Sequence, residues 1–173
     1  MKYLLLTIIL ILPMNGITLF NFNEDSNFID WKVIEDVFMV ERSTGSFFVN
    51  ESGHDVFEGT VSLENNGGFS YISLTNFFKI PIDRPKISIK LKGDGKNYQL
   101  RLNPNSNSRE SYVHDFYTTG SWHVIEIPLK DMYLSFCGRR LNKGNFNSIA
   151  EKGFRISTNK KTRTLDWNLI SWN

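Results

Sequence analysis

The stretch Pro85-Lys86-Ile87-Ser88-Ile89-Lys90-Leu91-Lys92-Gly93-Asp94-Gly95-Lys96-Asn97-Tyr98-Gln99-Leu100-Arg101-Leu102 decides the fold class. Ile87, Ile89 and Leu91 alternate with Ser88, Lys90 and Lys92. Successive side chains on a strand point to opposite faces, so the pattern is that of a half-buried antiparallel strand. Gly93 to Asn97 is a turn whose glycines can take positive φ. Tyr98 to Leu102 then alternates again, and the two arms together predict a β-hairpin.

The same reading extends outward. Gly59 to Asn65 places Val61 and Leu63 on one face; Asn65-Asn66-Gly67-Gly68 is a turn signal, and Phe69 to Leu74 returns. Trp122 to Leu129 carries His123, Ile125, Ile127 and Leu129 on one side and ends near Pro128. Phe154 to Ser157 and Thr164 to Trp172 read as a last strand pair around a basic turn, Lys160-Lys161-Thr162-Arg163. Short strands separated by frequent turns predict an all-β sandwich or barrel. Composition agrees. Among 173 residues there is one Ala, Ala150, against 18 Asn and 24 aromatic residues. Ala is the best helix former, Asn favours turns, and aromatic residues favour strands, so a helical bundle is excluded. The one short helical candidate is Phe146 to Lys152.

A formal charge of +2, from 20 basic and 18 acidic residues, gives no basic stripe for nucleic acid. The single cysteine, Cys137, rules out an internal disulfide framework and multi-cysteine metal sites; its expected role is a small apolar filler. At the amino terminus, Met1-Lys2-Tyr3 precedes the apolar run Leu4 to Leu12, broken by Pro13-Met14-Asn15-Gly16. That is the charge and length of a secretory signal peptide, and too short to span a bilayer. The expectation is a signal peptide over residues 1–16 and one β-sandwich domain over 17–173, exported to a periplasm or secreted, bacterial rather than mitochondrial. Contact with a membrane is expected only through an uncleaved leader.

Catalytic signals are missing. The pairs His54-Asp55 and His114-Asp115 are adjacent in sequence, so on a strand their side chains point to opposite faces. No nucleophile elbow, zinc-protease helix, P-loop or dinucleotide glycine pattern occurs. Asp94 and Asn97 could offer oxygen ligands to Ca²⁺, but Asx side chains in a turn ordinarily bond nearby backbone. No catalytic residue, metal site or cofactor is expected. Trp31, Trp122, Trp167 and Trp172 could stack on sugars, although most of them are expected in the core.

Specific words in the chain then carry a resemblance. Phe57-Glu58-Gly59-Thr60-Val61-Ser62-Leu63-Glu64-Asn65-Asn66-Gly67-Gly68-Phe69-Ser70 and Lys92-Gly93-Asp94-Gly95-Lys96-Asn97-Tyr98 are followed by Trp122, Ile127-Pro128, Phe136, Gly138-Arg139 and Gly153-Phe154-Arg155-Ile156. Over roughly residues 28 to 172 this resembles the complex I intermediate-associated protein 30 family. One departure is Met39-Val40-Glu41, where the family usually carries two glycines after the Met. The resemblance implies a galactose-binding-like jelly-roll β-sandwich, similar to some carbohydrate-binding modules. It also implies a non-catalytic role akin to assembly of NADH:ubiquinone oxidoreductase.

Two binding readings follow. The first is an assembly-factor-like domain holding a protein partner, such as a respiratory membrane complex, through an exposed apolar or aromatic patch. The alternative is an exported module for glycans, with aromatic residues flanked by hydrogen-bonding side chains. Candidate ligand-binding residues are Asn65, Asn66, Asp94, Arg139 and Trp122.

Overall fold

The computed structural model describes residues 31–35, 44–61, 69–74, 86–105, 107–142, 146, 152–158 and 166–171. These residues form an all-β jelly-roll sandwich. Its strands are β1 (Trp31–Glu35), β2 (Thr44–Val49), β3 (Asp55–Thr60), β4 (Ser70–Leu74), β5 (Lys86–Lys92) and β6 (Asn97–Asn103). Then come β7 (Ser111–Tyr117), β8 (His123–Pro128), β9 (Tyr133–Phe136), β10 (Arg139–Arg140), β11 (Lys152–Thr158) and β12 (Asp166–Ser171). A 3₁₀ turn, Leu129–Asp131, links β8 to β9. The larger sheet has the order β1-β4-β11-β6-β7-β9-β10 and the smaller β2-β3-β12-β5-β8.

The alternation is realised, but the expected hairpin over residues 85–102 is not. β5 lies in the five-stranded sheet and β6 in the seven-stranded one. Strand β5 pairs with β8 and β12, and β6 with β7 and β11. The last expected pair separates in the same way, β11 into one sheet and β12 into the other. A turn signal shows that the chain reverses; whether the arms bond or face each other depends on where their remaining hydrogen-bond partners lie. Here the apolar faces of β5 and β6 meet across the core. Ile87, Ile89 and Leu91 from one sheet and Tyr98, Leu100 and Leu102 from the other belong to one buried cluster. Trp31, Phe57, Ile72, Leu74, Tyr112, Phe116, Ile127, Met132 and Leu134 complete most of it.

The crossover between β5 and β6 is closely fixed. The Gly93 amide donates to the Thr119 carbonyl (3.0 Å) and the Thr118 amide to the Lys96 carbonyl (3.0 Å). The Thr118 hydroxyl is fully buried; it donates to the same carbonyl (3.0 Å) and accepts from the Lys96 amide (3.2 Å). A Cβ on Gly93 would run into the Thr118 side chain, so this glycine is required for close approach.

Several other expectations change. Strand β3 begins at Asp55, four residues before the expected Gly59, and ends at Thr60; residues 62–68 lie outside the described set. Lys152, the end of the helical candidate, opens strand β11, and 147–151 lie outside the described residues. Cys137 is exposed rather than a core filler. It has φ 47° and its neighbour Gly138 φ 76°, the two positive-φ centres of the tight turn between β9 and β10. The leader, Val40 and Glu41 also lie outside the described residues.

Candidate functional site

Of the residues singled out from sequence, Asn65 and Asn66 lie outside the described set. Asp94 sits in the β5–β6 crossover. Its Oδ1 accepts from the Tyr98 hydroxyl (2.9 Å), and its Oδ2 pairs with Lys96 Nζ (2.8 Å). Trp122 lies at the same end of the sandwich, half-buried, its ring edge-to-face with His54 at 5.0 Å. Arg139 is exposed at the start of β10, opposite Phe136 on the outer strand of the other sheet. The structure thus brings Asp94 and Trp122 to one end and leaves Arg139 at a distant edge.

A different set of side chains converges on the outer face of the seven-stranded sheet. Strand register builds it. Lys32, Ser73, Arg155, Arg101, Val113 and Tyr133 occupy successive paired positions on β1, β4, β11, β6, β7 and β9. The next row runs Ile34, Tyr71, Ser157, Gln99 and Asp115. Each position is one step from a core residue: Gln99 and Arg101 flank Leu100, and Tyr71 precedes Ile72. Alternation therefore directs Lys32, Ser73, Arg155, Arg101 and Tyr133, and Tyr71, Gln99 and Asp115, away from the core, while Val113 among them is fully buried.

The two rows are tied together. Arg101 Nε and one terminal nitrogen both donate to Gln99 Oε1, at 3.1 and 2.7 Å. Gln99 Nε2 donates to Asp115 Oδ1 (2.7 Å), and the Tyr133 hydroxyl donates to Asp115 Oδ2 (3.1 Å). Guanidinium groups lie over rings at both sides: Arg155 over Tyr71 (5.2 Å to the centroid) and Arg140 over Tyr133 (4.7 Å). Phe69 stacks on Tyr71, with centroids 5.6 Å apart. Such contacts attract a cation to the ring's negative face and hold the guanidinium group beside it.

Charge on this face is unbalanced. Lys32, Arg155, Arg101 and Arg140 are spread across it from β1 to β10 against the carboxylate of Asp115 on β7, and neither Arg101 nor Arg155 forms an ion pair among the described residues. The buried Nε of Arg155 has no hydrogen-bond partner. Burial pulls the Arg101 guanidinium below its ordinary value; Arg155 adds to this, while Tyr133 and Asp115 oppose it. Burial, then the charge and hydrogen bond of Asp115, push the Tyr133 hydroxyl up, with Arg101 and Arg140 opposing. This arrangement can bind: it offers in-plane N–H donors, an amide, a phenol and one carboxylate on a rigid sheet.

The other titratable feature is internal. Asp55 is fully buried at the start of β3, and neither carboxylate oxygen has a hydrogen-bond partner. Desolvation raises its pKa to about 6. His54 lies against Trp122 while Asp55 is buried, so this His-Asp neighbour pair splits as strand alternation requires. Among the described residues no group of three or more His, Cys, Asp or Glu could hold a metal.

The rows on this face were missed from sequence. Alternation did mark Gln99 and Arg101 as outward, but their neighbours come from β11, more than 50 residues along the chain, and from β7 and β9. The usable signal was Arg155 within Gly153-Phe154-Arg155-Ile156, a charged residue one step from an apolar one in a strand of the larger sheet.

Comparison with known structures supports the architecture. The chain is similar to a family 11 carbohydrate-binding module from Clostridium thermocellum in complex with a β-1,3-1,4-mixed-linked tetrasaccharide. The identity is 12%, with a TM-score of 0.58, covering 87% of this chain and 90% of that one. The family 11 module of the Clostridium thermocellum cellulosomal cellulase Lic26A-Cel5E matches equally, at 12% identity and TM-score 0.58 over 87% and 89% of the two chains. A family 30 carbohydrate-binding module matches at 14% identity and TM-score 0.50, over 75% and 71%. At these identities the likeness is one of fold. No curated protein matches the chain. The family comparison reaches further, since the complex I intermediate-associated protein 30 family matches residues 20–168. By that match over most of its length, the chain belongs to the complex I intermediate-associated protein 30 family.

Proposed function

We propose that this protein is a non-catalytic, assembly-factor-like binding domain, exported by its leader, that holds its partner on the outer face of the seven-stranded sheet. The observation that carries this reading is the linked row Arg101, Gln99, Asp115 and Tyr133, with Arg155 and Arg140 held over tyrosine rings on either side. Side chains at surface positions of a sheet need no such network for folding. Hydrogen bonds that immobilise donors and acceptors in advance reduce the ordering cost of binding. Family membership supports a binding role, and the signal-peptide pattern of residues 1–16 supports export.

A glycan is the second reading, favoured by the polarity of this face. A protein-docking patch would gather apolar side chains. Of the exposed large hydrophobic residues described, Phe48 and Val124 lie on the opposite edge strands of the smaller sheet and Phe136 on β9, and only Tyr117, two residues from Asp115, shares this face. Amides, a carboxylate and guanidinium groups suit hydroxyl-rich ligands.

The test uses the exported protein as bait for its own membrane fraction and as probe on a polysaccharide array, beside Arg101→Ala and Tyr133→Ala. Loss of roughly tenfold or more of binding in both variants, at unchanged Tm, is expected. Equal binding by both variants would overturn the assignment of this face.

A further inference from the structure

We infer that the ligand of this face is an acidic polysaccharide, with a sugar carboxylate seated at the Arg101–Arg155 pair. The inference rests on the second, glycan reading of the outer face and names the ligand class it takes. Arg101 and Arg155 are direct register partners on β6 and β11. Directly paired positions bring side chains to within about 5 Å, where like charges repel. Lys32 extends the cationic row along the same register through Ser73. No carboxylate of the described residues forms an ion pair with either arginine, and Asp115 is occupied by Gln99 and Tyr133. Among the described residues the two charges stand uncompensated beside each other, and an anion between them relieves that repulsion.

The orientation of the guanidinium selects the anion. Arg155 lies over the Tyr71 ring, 5.2 Å from its centroid, and its Nε is buried without a partner, which leaves the terminal N–H donors of its fork for a ligand. A planar fork of donors matches the two oxygens of a carboxylate and holds it bidentately. The neighbouring row supplies what the rest of a sugar needs. Gln99 and Asp115 lie one register step along, and the Tyr133 hydroxyl reaches Asp115 from the end of the arginine row. An acidic peptide could also satisfy the arginines, but the amide, carboxylate and phenol already ordered beside them match ring hydroxyls.

The experiment measures binding of the full exported protein to polygalacturonate, dextran sulfate, a neutral mixed-linkage β-glucan and poly-glutamate. Polygalacturonate is expected to bind best and to weaken as salt rises. Arg155→Gln and Arg101→Gln should each lose roughly tenfold or more, with Arg155→Lys intermediate because charge is kept and the fork is lost. Should the arginine variants melt early, Lys32→Gln on the exposed edge strand carries the same test. Equal binding of the neutral glucan, or full retention by Arg155→Gln, overturns the inference. Preference for dextran sulfate overturns the carboxylate, and preference for poly-glutamate overturns the glycan. If no polyanion binds while Arg101→Ala still abolishes capture of the membrane partner, only this inference fails. If that capture also survives, the assignment of the face fails with it.

Discussion

Asp55 is the residue with the clearest solution signature. Its carboxyl is fully buried without a partner, and its pKa stands near 6 against an ordinary 3.8. Between those values the folded chain keeps a proton that the unfolded chain has lost. Stability is therefore undiminished below about pH 4 and falls as pH rises through 6, by about 3 kcal/mol in full. Thermal melts across pH 4 to 8 should show Tm falling between about pH 4 and 6 and levelling above, with the fall largely abolished in Asp55→Asn. A wild-type Tm that stays flat or rises there would contradict the assignment. Nothing in His54-Asp55-Val56 marks Asp55 as buried. Strand alternation puts the two neighbours on opposite sides, and only the three-dimensional packing tells which side is dry.

At the level of elements, the alternation of β5 and β6 was legible because each strand buries one face, and that property is local. Their partnership was not legible, since β5 bonds to β8 and β12 and β6 to β7 and β11. A peptide covering residues 85–102 is therefore expected to show no hairpin signals by nuclear magnetic resonance, because its arms meet through side chains and lack the rest of the core. Cross-strand amide contacts in that peptide would refute the point. The Gly93-Asp94-Gly95 word now has a mechanical meaning: Gly93 admits Thr118, and Asp94 fixes Tyr98 and Lys96. Gly93→Ala should destabilise by about 1–3 kcal/mol through overpacking, read from denaturant midpoints at unchanged m. A midpoint equal to wild type would show that Thr118 yields freely.

Across the whole molecule, pairings between distant strands dominate. Both β4 and β6 wait for β11, and both β3 and β5 wait for β12. Such topology forms slowly, and refolding in the range of milliseconds to seconds is expected by stopped-flow fluorescence. The same long-range closure explains why the fold class could be read from sequence and the binding face could not. Alternation along one strand identifies an outward residue. Only register between strands places Arg155 beside Arg101 and Asp115 beside Gln99. Asp94, Trp122 and Arg139 are conspicuous in the sequence because they stand in turns or in recognisable words; the fold gathers the first two at one end and leaves Arg139 at a distant edge, so the three do not converge.

The thiol of Cys137 has a practical consequence. The sequence holds one cysteine, and it is exposed at the tip of the β9–β10 turn, three residues before Arg140. A maleimide dye attached there would label the native chain at a single position, with no engineered substitution. It would sit at the rim of the face that carries Tyr133 and Arg140. Quenching of that dye during a titration would report occupancy in real time, and it would read protein partners and glycans on the same scale.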